Sequence, residues 1–181
     1  MSILKVARMG HPVLRAAARP IERGEIRRPQ LQGLLDDMID TMMEYRGVGL
    51  AAPQVHEGLR VFVAQLADEE SDEGRPDLDE EPTVIINPEI DVLDEHLVED
   101  WEGCLSIPDI RGLVPRARAI VARGLDRTGA PLEIHASGFT ARVIQHETDH
   151  LDGVLFFDRM SDFGSLTYLE EYTRYWRKND D

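Results

Sequence analysis

Only one cysteine, Cys104, occurs in the 181 residues, so no internal disulfide can form. The lone thiol must be buried, reactive or metal-bound, as suits a reducing cytoplasm. No apolar run approaches the roughly 20 residues that span a bilayer, and the opening Met1-Ser2-Ile3-Leu4-Lys5 lacks the pattern of a signal peptide. Basic residues are scarce beside acidic ones, 20 Lys and Arg against 35 Asp and Glu, which leaves a formal charge of −15. Such an excess argues against broad nucleic-acid binding through phosphate contacts. Internal repeats and linkers are also missing. With 42% hydrophobic residues, what remains is one domain, 1–181, large enough to bury a core.

Local patterns place the elements of that domain. From Leu31 the apolar residues Leu34, Leu35, Met38, Ile39, Met42 and Met43 keep the rhythm of an amphipathic helix, with methionine filling irregular gaps in the core. Ahead of it, Gly10-His11-Pro12-Val13-Leu14 predicts a turn, then a short helix through Ala16-Ala17-Ala18 stopped by Pro20, with His11 as a turn or capping residue. Residues 60–64, 83–86 and 89–99 read as strands, and 117–125 pairs with 131–136 across Asp126-Arg127-Thr128-Gly129. Strands gather in the middle with helices at both ends, including a helical C-terminal tail at 161–181. That distribution indicates α+β with an antiparallel sheet rather than alternating βαβ units. The acidic run at 68–82 is too poor in apolar residues to bury itself and reads as a surface loop.

Chemistry concentrates in Gln145-His146-Glu147-Thr148-Asp149-His150. On a helix, His146 and His150 lie one turn apart on the same face, so both imidazoles can reach one metal ion. Glu147 then stands beside the open position of that ion, where a hydrolytic general base belongs. Ala141, Val143, Ile144 and Leu151 supply apolar positions, and Gly153 can end the helix in the left-handed conformation.

Two histidines do not make a site, and Trp101-Glu102-Gly103-Cys104-Leu105-Ser106-Ile107-Pro108 offers a third ligand. A Cys104 thiolate would leave one position open, the layout of catalytic rather than structural sites. Gly103 would let the backbone come near the ion, and the Leu105 amide would point the same way. In isolation a cysteine is more commonly a buried, inert one. In Gly47-Val48-Gly49-Leu50-Ala51-Ala52-Pro53-Gln54 two glycines admit close approach of a ligand, and Gln54 can aim its amide into a pocket. Lacking the lysine of a phosphate loop, that stretch also fits a tight turn into a strand. Two other readings stay open: a zinc peptidase of the His-Glu-x-x-His type with Glu170 or Glu171 as third ligand, and a binding protein stapled by a structural metal. The spare fourth position and the otherwise unneeded Glu147 count against the staple.

Taken in order, the stretches at 47–54, 102–106 and 145–150 resemble the three motifs of the peptide deformylases. The likeness runs from Gly10-His11-Pro12 to Asp152-Gly153-Val154-Leu155-Phe156. It implies a metal-dependent cytoplasmic hydrolase that removes the formyl group from the N-terminal methionine of new polypeptides. N-formylmethionyl nascent peptides would be its partners, with the ribosome as a further one, reached through Arg174, Arg177 and Lys178. The fold implied is a set of antiparallel sheets around a central helix bearing the two histidines. Cys104, His146 and His150 would be the metal ligands and Glu147 the general acid/base. Gln54 and the Leu105 amide would form the oxyanion hole, the Gly49 backbone would pair with extended substrate, and Glu102 and Arg116 would form a supporting ion pair. Val48, Trp101, Phe139 and Val143 would line the methionine pocket, with Arg142 close enough to alter its preference. The ion implied is Fe²⁺, though Zn²⁺, Ni²⁺ or Co²⁺ suits the same donors. The chain departs from the family at Asp109-Ile110, where many members have a glycine after the proline, and in its long acidic loop.

Overall fold

The computed structural model describes residues 2–66 and 81–177; the segment at 68–82 lies outside them except for Glu81 and Pro82, and so does Lys178. Strands β1 (Gly49–Ala51), β2 (Val61–Ala64), β3 (Thr83–Cys104), β4 (Ile107–Leu125) and β5 (Pro131–Ser137) pair antiparallel in that spatial order. A sixth, β6 (Thr167–Tyr168), pairs with β4 at Ile110 and Arg111. Helices α1 (Arg23–Ile26) and α2 (Pro29–Glu44) precede the sheet, while α3 (Gly138–Leu151) and α4 (Leu169–Tyr175) follow it. The architecture is therefore α+β, with α3 packed on the sheet. Among the described residues no helix is long and apolar enough to cross a membrane.

All four residues of β2 are buried because the sheet is covered on both faces there. Side chains alternate across a strand: Phe62 and Ala64 pack with Ala141, Ile144 and Leu151 of α3, while Val61 and Val63 pack with Leu31, Leu35, Met38 and Met42 of α2. The methionine stripe of α2 is thus core packing at Met38 and Met42, whereas Met43 falls off the stripe and is exposed. The expected pairing of β4 with β5 runs from Ala119 opposite Ser137 to Leu125 opposite Pro131. Its turn is held by Asp126, whose carboxylate accepts from the backbone N–H of Thr128 (2.8 Å) and of Ala130 (2.9 Å).

Three local expectations change. The strands expected at 83–86 and 89–99 are one 22-residue strand, β3. Its register with β4 shifts between Ile86 and Glu89, where Asn87 turns to φ +52° and Pro88 has no N–H to give the ladder. The helix expected through Ala16-Ala17-Ala18 is only a 3₁₀ turn, Pro12–Arg15, capped by His11, whose Nδ1 accepts from the Val13 N–H. Beyond it the backbone bonds elsewhere: Ala18 donates to Leu151 O (2.8 Å) and Arg19 to Gly58 O (3.0 Å). Those tertiary bonds override the helix propensity of three alanines. Among the described residues of the tail, helix is confined to the seven residues of α4, because Thr167 and Tyr168 join the sheet instead.

The end of α3 fixes where its histidines sit. Gly153 adopts φ +72° and donates to His150 O, while Val154 donates to Asp149 O (2.8 Å), closing the helix as a left-handed C-terminal cap does. A Cβ there would meet the backbone C and O of Arg15 at 2.8 Å. Gly138 also has positive φ, +56°, but an added Cβ meets nothing within 4 Å. At Asp109 φ is +60°, a left-handed conformation that costs a residue other than glycine some strain.

Gly153→Ala should therefore lower the free energy of unfolding by about 1–3 kcal/mol, and Gly138→Ala by about 1 kcal/mol or less. Urea unfolding measures both. Equal losses would show that the contact with the Arg15 backbone does not constrain the helix end.

Candidate metal centre

The hairpin joining β3 to β4 turns in two residues, Leu105 and Ser106, with Cys104 opposite Ile107. That tight turn brings Cys104 against α3. Cys104 Sγ lies 3.2 Å from His150 Nε2, and the His146 and His150 rings stand 5.0 Å apart, nearly edge to face. Cys104, His146 and His150 are all buried, and one ligand atom from each lies within 4.8 Å of the others. Two donors on a tetrahedral ion with bonds of about 2.0–2.3 Å sit about 3.3–3.8 Å apart, so small movements close this trio on one ion.

The donor chemistry fits a metal. Burial raises the Cys104 thiol pKa, yet the His150 and His146 imidazoles beside it pull it well below its ordinary value, so the sulfur is held as thiolate. Burial lowers the His146 pKa, but the Cys104 sulfur and the Glu102 carboxylate carry it well above the usual imidazole value. A proton on His146 thus stands where the charge of a cation would be, and a bound ion displaces it. His146 Nδ1 is 2.9 Å from Glu102 Oε2; an ionised carboxylate only accepts, so Nδ1–H donates and Nε2 is left to coordinate.

Glu102 is the hub beneath these ligands. Besides His146, it accepts from Arg116 Nε (2.9 Å) and Nη2 (3.0 Å) and from Arg142 Nη1 (2.8 Å). Burial raises its pKa, but His146 and Arg116 hold it far below the usual carboxylate range. Arg116 also bonds Asp149 of α3, and Asp149 accepts in turn from Arg159 Nε (3.1 Å) and Nη2 (2.6 Å). The Glu102–Arg116 pair implied by the family resemblance is present and bidentate. Asp149, Arg159 and Arg142 complete it, and sequence reasoning missed their part. Arg142 does line the cavity, and three of its five N–H groups are taken up by Glu102, Val114 O (2.7 Å) and Val98 O (2.6 Å), which ties its charge to Glu102.

Glu147 sits on the cavity side. Its Oε2 is buried without a hydrogen-bond partner, and burial raises its pKa above the usual carboxylate value. Gly49 is glycine for its sake, since a Cβ there would fall on the Glu147 carboxylate. At Gly103 the space that a side chain would take is filled by the Arg111 guanidinium. Gln54 is buried, its Oε1 accepting from Ala51 N–H (2.8 Å) and its Nε2 reaching Cys104 Sγ (3.5 Å) and Ser106 Oγ (3.3 Å). Its amide NH₂ therefore points into the site.

Glu102, Cys104, His146 and Glu147 border a cavity of about 720 Å³ together with Val48, Gly49, Gln54, Trp101, Leu105, Phe139 and Val143. Every residue assigned to the site from sequence lines this space except His150, which stands behind Cys104 and is 1% exposed. Neither carboxylate of the peptidase alternative joins the ligand trio. Glu170 is exposed and Glu171 pairs with Arg174 in α4, and among the described residues the metal-competent group is Cys104, His146 and His150.

Residues 3–165 match the family model described as polypeptide deformylase. Peptide deformylase 1 of Nitrosomonas europaea is 43% identical over 169 residues, 93% of each chain. The peptide deformylase of Salinibacter ruber is 46% identical, over 89% of this chain and 82% of its own. A Met-Ala-Ser-bound crystal structure of class I type b peptide deformylase from Acinetobacter baumannii superposes with a TM-score of 0.80 at 37% identity, covering 88% of this chain and 99% of that one.

Four substitutions test the centre. Cys104→Ser should lose tight metal binding, because a neutral hydroxyl replaces a thiolate, while Glu170→Ala and Glu171→Ala keep it; metal analysis after dialysis showing the reverse would move the ligand to α4. Glu102→Gln should weaken metal affinity about 10–100-fold through the loosened His146 and cost about 3–5 kcal/mol of stability by leaving buried guanidinium groups without their anion. Metal titration and urea unfolding measure the two effects, and wild-type affinity in Glu102→Gln would remove Glu102 from the support of the site.

Proposed function

The chain belongs to the peptide deformylase family, and from that premise we propose that it removes the formyl group from the N-terminal methionine of newly made polypeptides in the cytoplasm. One observation carries the reading: a buried Cys104, His146 and His150 trio with the unpartnered Glu147 carboxylate beside it, opening on a cavity bordered by the edge strand β1. Cys104, His146 and His150 are the metal ligands in this reading, and Fe²⁺ is the ion we assign in the cell, with Zn²⁺, Ni²⁺ or Co²⁺ able to take its place. A divalent ion held there supplies Lewis acidity and brings the pKa of water from about 15.7 toward neutrality.

The chain's own groups do the rest. Glu147 accepts the proton of the water that attacks the formyl carbon, and a carboxyl whose pKa burial has raised is matched to that task near neutral pH. As charge grows on the formyl oxygen, Gln54 Nε2 and the Leu105 N–H are the donors that meet it; losing one such donor typically costs about 10²–10³ in rate. Glu147 then returns its proton to the amide nitrogen as the C–N bond breaks, giving formate and a free amino terminus.

Substrate lies as an added strand. β1 is the outer strand of the sheet and Gly49 faces the cavity without a side chain, so an extended peptide can bond the Gly49 backbone as one strand bonds another. The Met-Ala-Ser peptide of the Acinetobacter relative is the kind of ligand such a groove takes. Val48, Phe139 and Val143, with Trp101, offer apolar contact to the methionine side chain.

Formate release from formyl-Met-Ala should occur with the metal-loaded protein and stop with chelator. Acetyl-Met-Ala should be a poor substrate, because the extra methyl has no room at the ligands. Glu147→Ala should keep its metal yet lose about 10²–10⁴ in turnover. Comparable hydrolysis of the acetyl peptide, or near-normal turnover by Glu147→Ala, would defeat the assignment.

A further inference from the structure

The family match ends at residue 165, but the cavity does not. Leu169, the first residue of α4, lines it alongside Trp101, Pro108 and Asp109. The chain from residue 165 onward is held onto the site by three independent contacts. Ser165 Oγ accepts from the Leu113 N–H (3.0 Å). Thr167 and Tyr168 pair with Arg111 and Ile110 of β4. Trp101 then takes Tyr172 and Trp176 against its ring, at 4.9 and 5.9 Å between centroids. These are the only two tryptophans in the chain, and they meet in this clasp.

Trp101 differs from the other three residues assigned to the methionine pocket. Val48, Phe139 and Val143 belong to the core formed by α3 and the sheet. Trp101 is outside that core and packs on the C-terminal aromatics instead. The cavity thus has an apolar wall built from α3 and β1 and a second built from Trp101 and Leu169. At about 720 Å³ it is in the range of roughly 300–1,000 Å³ that takes a ligand larger than one amino-acid residue.

Resting on the deformylation reading, we infer that the C-terminal segment Thr167–Trp176 is part of the substrate groove, and that Leu169, which lines the cavity together with Trp101, selects apolar side chains in the residues that follow the methionine. Leu169 is a specificity-determining residue in this account. Tyr172 and Trp176 are positioning residues that act through Trp101. The segment would then let the enzyme discriminate among nascent chains by more than their first residue.

The test uses the full chain, metal-loaded, with formyl-Met-amide, formyl-Met-Ala-Leu and formyl-Met-Ala-Asp. Leu169→Ala should raise KM for formyl-Met-Ala-Leu about 3–10-fold with kcat unchanged, the loss expected for truncating one partly buried apolar contact. Kinetics on formyl-Met-amide should not move, and the preference for Leu over Asp at the third position should shrink. Trp176→Ala, which leaves the lining of the cavity intact, should move KM the same way by a smaller factor. A fall in kcat/KM by one common factor on all three substrates, or no change on any, would overturn the inference.

A binding arm keeps this outcome separate from the deformylation reading. In Trp176→Phe, Trp101 is the sole tryptophan, and its emission should show a shift on titration with unformylated Met-Ala-Leu beyond the one that Met-amide gives. If wild type releases no formate while that shift is seen, the deformylation reading fails and the wall stands. Formate release with no shift for Met-Ala-Leu beyond that of Met-amide places Leu169 outside the groove, and the inference fails alone.

Discussion

A single buried carboxylate, Glu102, holds the two halves of the site together. It lies on β3 two residues before Cys104, and it reaches His146 of α3 and Arg116 of β4 at once. An ionised group in such a place costs several kcal/mol to desolvate. Two guanidinium groups and an imidazole N–H meet it from different directions, which makes its burial tolerable. The cost of burying it also makes the arrangement specific, because moving β3 relative to α3 would leave a charge without partners. The ligand geometry follows: with Glu102 fixed, both the Cys104 sulfur and the His146 ring have little freedom left.

The fold supplies what the carboxylate cannot. A two-residue turn after Cys104 places the sulfur at the end of a long hairpin rather than on a mobile loop. Packing of Ala141, Ile144 and Leu151 against the sheet sets the rotation of α3, so His146 and His150 face the sulfur. The other side of the helix is tied through Asp149 to Arg116 and Arg159. Rigid elements that carry ligands, supported by bonded neighbours, are what a metal site with an open position requires.

Much of this was legible in the sequence, for a physical reason: helical and strand periodicities are local, and so is the spacing of His146 and His150. Cys104 and Gln54 are ambiguous alone, one as a buried thiol and the other in a tight turn, and stood out only because their stretches recur with the histidine pair in the order of a family's three motifs. What stayed hidden is non-local. Arg142 and Asp149 bond partners 40 and 33 residues away, and nothing in their neighbourhoods marks a buried ion network. The same holds for Arg111 lying over Gly103 and for Leu169, whose place in the cavity depends on a strand of two residues. Alanine runs misled in the opposite sense, since Ala16-Ala17-Ala18 suggests helix until the tertiary bonds of Ala18 and Arg19 are seen.

Everything proposed for the site depends on Cys104, His146 and His150 jointly holding one ion. X-ray absorption at the metal edge of the zinc-loaded protein measures this directly. The prediction is a shell with one sulfur at about 2.3 Å and two imidazole nitrogens at about 2.0–2.1 Å, completed by a light donor at the open position. A shell of nitrogen and oxygen alone, without sulfur, would contradict it.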